Sequence, residues 1–209
     1  MRLNKGDVFI LSNGKGDDAR VRLVTLKKEY GEVVIEEVSQ NTKDPGKHVF
    51  LYCSLLKREN FELMVQKTTE SGVYTIIPII SERTVKQRIR YDRVERIAKE
   101  AAEQCGRSVV PVITETIEFE TALQALSRYD DAILFDATAD DVCFKEHKIK
   151  RIAIFIGPEG GWDEEEVCQA REAGCRIVTL GMRTLRAETA AIVATFLVAA
   201  DESVGLFRT

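Results

Sequence analysis

Two short apolar segments in the C-terminal third of the chain each end in glycine, and this pairing constrains the fold more than any other feature. Residues 152–156 lead into the turn GPEGG at 157–161, and residues 176–180 lead into Gly181. The glycines of the first turn allow backbone angles and close contacts that a β-carbon would prevent. Because the carboxyl ends of parallel strands meet at one edge of an open α/β sheet, we expect both bends to line one ligand crevice.

A helix with an acidic start is predicted between the two bends. Asp163 offers an N-cap, Glu166 completes a capping box, and Gly174 ends the helix. The helix opens with DEEE at 163–166, and Glu159 lies in the turn before it. Acids at a helix start disfavour a pyrophosphate, and the motifs of phosphate loops and dinucleotide folds are missing. The pattern favours a neutral or cationic nucleoside-like ligand; the alternative is that acids and glycines serve only the fold.

Apolar strands and helices alternate through the middle of the chain. Strands are predicted at 49–55, 74–80, 109–113 and 132–136, and helices at 58–71, 91–105 and 120–127. A long apolar helix is predicted at 187–200, after the second bend. This alternation predicts an α/β fold with a mostly parallel sheet covered by helices on both faces.

The first 38 residues follow a different pattern. Three short segments rich in Val and Ile, at 7–11, 20–26 and 32–38, are separated by hairpin signals such as NGKG at 13–16. They predict a small antiparallel β unit, joined to the rest by a polar linker at 39–47. A chain of 209 residues with 44% hydrophobic content has enough material for one core and a small second domain.

Composition narrows the functional classes. No segment is long and apolar enough to span a bilayer, and the N-terminus has no apolar signal core, so a cytoplasmic protein without a membrane partner is expected. Five cysteines form no C-x-x-C pair and there are two histidines, which predicts no metal site and no histidine triad. The net charge of −4 argues against a general nucleic-acid coat. The segment 83–96 is nevertheless basic and is either solvated surface or an RNA-facing patch.

The two bends resemble a known enzyme family when they are read together. GPEGGW at 157–162 and LGMRTLRAETA at 180–190 resemble the signature motifs of the bacterial 16S ribosomal RNA uridine-N3 methyltransferases, a branch of the SPOUT superfamily. VQKTTESGV at 65–73 and EAAEQCGRSVVP at 100–111 extend the resemblance over nearly all of 48–200. Ser71 departs from the leucine that the family usually has there.

The resemblance implies two domains and a knotted fold. Residues 47–209 would form a SPOUT methyltransferase domain with a C-terminal trefoil knot, which the periodicity alone does not indicate. Residues 1–42 would form part of a PUA-like β-barrel that binds RNA. Relative to the family, the leading strand of this barrel is missing, on the order of twenty residues.

The resemblance also implies S-adenosylmethionine as the cofactor, held by loops after three strands. The implied cofactor-binding residues are Leu134, Gly157, Pro158, Glu159, Gly160, Leu180, Gly181, Leu185 and Ala187. This cofactor carries a sulfonium cation and no phosphate, which agrees with the acidic residues near the first bend.

Methyl transfer to a uridine N3 mainly requires alignment and removal of the imide proton. The candidate catalytic residues are Arg107, Arg186 and Glu188, with alternative roles as a helix cap for Arg107 and as a helix-stabilising acid for Glu188. The candidate RNA-binding residues are Arg83, Lys86, Arg88, Arg90 and Arg183. The expected partners are 16S ribosomal RNA or the small ribosomal subunit and a second copy in a homodimer. The alternative function is a noncatalytic RNA-binding ribosome-assembly protein.

Overall fold

Two sheets of different character form the fold, as the sequence predicts. In the computed structural model the described residues are 3–40, 46–85, 87–139 and 150–200. The first sheet is antiparallel, with strand order β1-β2-β3. Its strands are β1 (Val8–Ser12), β2 (Asp17–Leu26) and β3 (Gly31–Gln40).

The second sheet is parallel throughout its described pairings. Its strands are β4 (His48–Ser54), β5 (Val73–Ile80), β6 (Val112–Ile113), β7 (Ile117–Glu118), β8 (Asp131–Phe135), β9 (Arg151–Ile156) and β10 (Arg176–Val178). The helices are α1 (Arg58–Glu70), α2 (Tyr91–Cys105), α3 (Phe119–Gln124), α4 (Glu164–Glu172) and α5 (Ala187–Ala199), with a 3-10 turn at Leu126–Arg128. The strand order is β10-β8-β9-β4-β5-β6, and β7 also pairs with β5.

Alternating side chains of the parallel sheet form two hydrophobic clusters, one on each face. Along β4, Leu51 and Cys53 pack with residues of α1, α2 and α5, whereas Phe50 and Tyr52 pack with residues of α3 and α4. Every residue of this strand except His48 is buried, as expected for a central strand covered on both faces. The prediction of a mostly parallel sheet with helices on both faces is therefore confirmed.

Two strands are shorter than predicted, for identifiable reasons. β6 begins at Val112 because Val109 and Val110 pair with the turn between β1 and β2 instead. The Val110 N–H donates to the Gly14 carbonyl, and Val109 forms a β-bridge with Lys15. β10 ends at Val178 because the Thr179 side chain starts a turn that takes the chain out of the sheet. The pairing of Val109 and Val110 with the turn between β1 and β2 also docks the N-terminal sheet beside the segment that follows α2.

The carboxyl edge of the parallel sheet is where the site forms. β8, β9 and β10 end there at Phe135, Ile156 and Val178, and the chain then returns from β10 to place α5 against β4 and β9. The two C-terminal glycine bends are thus brought together as the sequence predicts. No helix among the described residues is long and apolar enough to cross a membrane.

Candidate functional site

A cleft of about 910 Å³ opens at the carboxyl edge of the sheet. Its walls are the loops that follow β8, β9 and β10, at residues 135–138, 156–162 and 179–188. Lys57 and Asn60, which follow β4, and Arg83, which follows β5, also line the cleft, as do Glu164, Val167 and Ala190 of the flanking helices. The cleft lies within the size range of pockets that bind small molecules and cofactors.

The first bend depends on close packing between Gly157 and Trp162. A β-carbon on Gly157 would lie 3.0 to 3.2 Å from atoms of the indole ring, so only glycine leaves room for it. The indole is buried, and its Nε1 donates to the Phe135 carbonyl over 3.0 Å. Trp162 thereby joins the loop after β9 to the end of β8, and the main chain of the bend faces the cleft.

Glu82 and Arg83, in the loop after β5, bind the other end of this bend. The Arg83 guanidinium donates to the Trp162 carbonyl over 3.0 Å and to the Asp163 carboxylate over 2.8 Å. Next to it, the Glu82 N–H donates over 2.9 Å to the Glu166 carboxylate, which is buried. The bend is therefore fixed by two residues that precede it by about eighty positions in the sequence.

The start of α4 satisfies its own backbone groups. Asp163 accepts from the Glu165 N–H, and Glu166 accepts from the Asp163 N–H, so the predicted capping box is present. Gly174, with φ of 98°, follows the helix end as predicted. Because acids occupy the terminal N–H groups, this helix start offers little to a phosphate.

The second bend carries exposed cationic side chains, and a buried acidic side chain follows it. Gly181 has φ of 116°, a left-handed conformation that favours glycine, and its N–H donates to the Thr179 hydroxyl. Arg183 and Arg186 are exposed and line the cleft. Glu188, in the first turn of α5, lines the cleft but is only 5% exposed.

The buried carboxylate of Glu188 lacks a partner on one oxygen. Its Oε2 is buried and makes no hydrogen bond to any described residue. The thiol of Cys53 lies at the end of β4, and burial, followed by the negative charge of Glu188, raises the pKa of Cys53 to about 12. The Cys53 thiol near Glu188 is therefore neutral.

The loop after β8 contributes a compact polar turn to the cleft. The Asp136 carboxylate accepts from the N–H and the hydroxyl of Thr138, over 2.7 and 2.8 Å. Across the cleft, the Asn60 amide donates to the Glu159 carboxylate over 3.0 Å. These contacts orient acidic groups at two sides of the opening.

Seven of the nine residues predicted to hold the cofactor line this cleft: Gly157, Pro158, Glu159, Gly160, Leu180, Leu185 and Ala187. Leu134 does not, because its side chain is fully buried in the cluster beneath α3 and α4, and the lining begins at Phe135. Gly181 shapes the bend and is also absent from the lining. Arg183, Arg186 and Glu188 do line the cleft.

The single chain places Arg107, a predicted catalytic residue, outside this cleft. Its guanidinium donates to the carbonyls of Thr69 and Val73 over 2.8 and 2.9 Å. Val73 is the first residue of β5, so Arg107 lies at the amino edge of the parallel sheet, opposite the cleft. The alternative interpretation, in which Arg107 caps a helix end, describes its contacts.

The basic segment 83–96 is less uniform than its sequence suggests. Arg83 is committed to the first bend, and Arg90 pairs with Asp92 over 3.2 Å. Arg88 is exposed and makes no ion pair with any described residue, whereas Lys86 lies outside the described residues. Hydrogen bonds from Arg93, which join α2 to α1, lower the pKa of Glu62. Arg88 and Arg90 are exposed for contact with a polyanion, whereas the guanidinium of Arg83 already bonds to the first bend.

Sequence reasoning missed Lys57, Asn60, Asp136 and Trp162 as parts of the site. The signal for three of them was present, because Lys57, Asn60 and Asp136 follow strands whose carboxyl ends meet at the cleft.

The sequence predicts no metal site, and the described residues contain no group of three or more potential ligands.

Comparisons with known proteins agree with this geometry. The RNA methyltransferase domain family matches residues 42–199. Ribosomal RNA small subunit methyltransferase E of Bacillus subtilis is 32% identical over 214 residues, covering 93% of this chain and 82% of that protein. The Mesomycoplasma hyopneumoniae protein of the same name is 34% identical over 177 residues, covering 81% and 77%.

A solved structure is similar over almost the whole fold. Ribosomal RNA small subunit methyltransferase E of Neisseria gonorrhoeae, bound to S-adenosyl methionine, has a TM-score of 0.87 and 32% sequence identity. The match covers 94% of this chain and 84% of that one. Sequence and fold lead to the same conclusion: this chain belongs to the RNA methyltransferase family.

Proposed function

We propose that the cleft binds S-adenosylmethionine and that the protein methylates N3 of a uridine in 16S ribosomal RNA of the small subunit. The observation that carries the first part is the cleft itself, where the loops after β9 and β10 offer main-chain groups at Gly157, Gly160 and Leu180 to a ligand. The similar Neisseria gonorrhoeae protein is bound to the same cofactor. Family membership and the motif resemblance support the second part.

The charges of the cleft fit this cofactor better than a nucleotide phosphate. At the start of α4 the carboxylates of Asp163 and Glu166 already accept from main-chain N–H groups, and Asp136, Glu159 and Glu164 place carboxylates around the opening. Adenine and ribose can bond to main-chain groups, and carboxylates tolerate a cationic sulfonium and an amino group. When bound, the cofactor supplies an electrophilic methyl group. The chain aligns it with the base and excludes water.

The exposed arginines of the cleft have the chemistry to hold the base or its phosphates. Arg183 and Arg186 belong to the loop between β10 and α5, and guanidinium groups form paired hydrogen bonds with oxygens. Arg88 and Arg90, with Lys86, are proposed to contact the RNA backbone, which positions the substrate without reading its sequence. Residues 1–42 are proposed as a partial PUA-like domain that adds a second contact to RNA.

We also propose a homodimer, a trefoil knot in the C-terminal part of the domain at 47–209, and a cytoplasmic location. Exposed apolar side chains on adjacent helices, Leu63 on α1 at 42% and Phe196 on α5 at 49%, support a second copy as their cover. The return of the chain from β10 to the centre of the sheet supports the knot. Light scattering of the purified protein tests the dimer, and a monomer mass at micromolar concentration would contradict it.

The enzymatic proposal is tested on RNA. Purified protein, S-adenosylmethionine and small subunits from a strain that lacks the gene should yield N3-methyluridine at one position of 16S ribosomal RNA, located by mass mapping. The matched control is the same reaction with S-adenosylhomocysteine added in excess. The target is wrong if the methyl group appears on another RNA, or if ribosomal RNA from the deletion strain keeps all its methyluridine.

A further inference from the structure

Two buried polar side-chain atoms have no hydrogen-bond partner among the described residues, Glu188 Oε2 and Thr195 Oγ1. Both belong to α5, but only Glu188 lines the cleft. Thr195 is fully buried in the interior. Of the two residues, only Glu188 borders the cleft, so a bound ligand can provide the missing partner of its carboxylate once the side chain turns toward the cleft.

A buried carboxylate oxygen without a donor is costly, so such atoms in native proteins usually have a partner from solvent or a ligand. At 5% exposure Glu188 has little access to bulk water. The partner that suits it is an N–H group of a ligand. Arg183 and Arg186, in the loop just before α5, offer only donors to the same cleft. One wall of the cleft thus combines an acceptor with donors near it in sequence.

This set is complementary to the imide edge of uracil, in which an N3–H donor lies between two carbonyl acceptors. Cytosine has no hydrogen at N3 and presents an amino group in place of one carbonyl. A buried carboxylate opposite N3 therefore favours uracil, because cytosine would leave two acceptors facing each other.

We propose that Glu188 selects a uracil edge in this cleft and accepts its N3 proton during methyl transfer; the inference rests on the proposed function. As the N3–methyl bond forms, the proton moves to the Glu188 carboxylate and the electron pair of the breaking carbon–sulfur bond goes to sulfur. The products are N3-methyluridine, S-adenosylhomocysteine and a protonated carboxyl group that later releases its proton to solvent. Glu188 is thus a catalytic residue that also determines base specificity.

The groups around Glu188 are compatible with this role. Cys53 of β4, which is close enough to feel the charge of Glu188, is a neutral thiol. The other charged groups of the cleft are Lys57, Arg83, Asp136, Glu159, Glu164, Arg183 and Arg186. Arg83 is paired with Asp163 and Glu159 is bonded to Asn60, so neither is directed at Glu188.

The decisive experiment compares wild type with Glu188→Gln, which keeps the shape and removes the basic oxygen. S-adenosylmethionine affinity is measured by calorimetry, and methyl transfer to a uridine RNA is measured in single turnover as a function of pH. We expect an affinity within about threefold of wild type and a rate lower on the order of 10² to 10⁴-fold. The rate of the variant should rise about tenfold per pH unit, because it then depends on the imide anion formed in solution.

The other outcomes separate the possibilities. Equal rates in wild type and variant overturn the proposal. A cofactor affinity weaker by tenfold or more, with an unchanged rate once cofactor is saturating, assigns Glu188 to the amino group of the cofactor and also overturns it. A wild type that methylates no uridine RNA refutes the proposed function and not merely the role of Glu188.

A second variant protects the test against a folding defect. Glu188→Asp keeps the charge and withdraws it by one methylene group, so its rate should fall less than that of Glu188→Gln. A 5-fluorouridine RNA, whose imide is more acidic, should accelerate Glu188→Gln more than wild type, because only the variant depends on the imide anion formed in solution. An equal acceleration of wild type and Glu188→Gln contradicts proton acceptance by Glu188.

Discussion

Replacing Gly157 with alanine tests how the first bend is built. The new β-carbon would lie 3.0 Å from the nearest atom of the Trp162 indole, closer than an ordinary contact, so the ring has to move. Movement weakens the 3.0 Å bond from the indole to the Phe135 carbonyl. Overpacking of this kind costs about 1 to 3 kcal/mol, and a lost hydrogen bond about 1 kcal/mol. We expect a loss of about 2 to 4 kcal/mol, or a melting temperature lower by roughly 4 to 16 °C.

Gly160→Ala is the matched control in the same bend. Its β-carbon would lie 3.5 and 3.7 Å from two carbons of Arg83, which is ordinary contact, so we expect a change below about 0.5 kcal/mol. Both variants are compared by urea unfolding and by calorimetric binding of S-adenosylmethionine. Gly157→Ala should lose stability and affinity together. If the two variants unfold at the same urea concentration, the close packing of Gly157 on Trp162 is not what shapes the bend.

Three further predictions follow from the contacts described above. Arg83→Ala should weaken S-adenosylmethionine binding several-fold, about 1 kcal/mol for a partly exposed pair, whereas Arg88→Ala should leave it unchanged in the same titration. Arg107→Ala should lower the free energy of unfolding by about 1.5 to 3 kcal/mol without changing cofactor affinity, and unchanged unfolding would contradict its capping contacts. Iodoacetamide at about pH 8 should label exposed Cys168 and spare Cys53, whose pKa is raised to about 12 by burial; labelling of both in the folded state would contradict the burial.

Local patterns in the sequence predict the elements and their ends well, because the determinants are neighbours in the chain. The helix α2 has the bounds expected from its apolar stripe and from Gly106, whose φ of 74° ends it. The capping box of α4 is likewise readable from Asp163 and Glu166. The meeting of the glycine bends follows from one topological rule about parallel strands.

Contacts between residues far apart in sequence could not be predicted in this way. Arg83 belongs to a basic run, and nothing local indicates that it bonds to Asp163, eighty residues later. Arg107 lies in a motif of the family, yet its guanidinium bonds at the amino edge of the sheet. The short β6 depends on where the N-terminal sheet docks, which only the assembled fold determines. The run of basic residues in the sequence therefore shows where positive charges lie, but not which of them already pair with acidic side chains in the fold.

Calorimetric titration of S-adenosylmethionine and, separately, of ATP into the purified protein is the most direct test that the carboxyl-edge cleft is a cofactor site of this chemistry. We expect saturable binding of S-adenosylmethionine at one site per chain, competition by S-adenosylhomocysteine, and no binding of ATP. Folded protein that binds ATP in the cleft, or that gives no heat with S-adenosylmethionine, would contradict it.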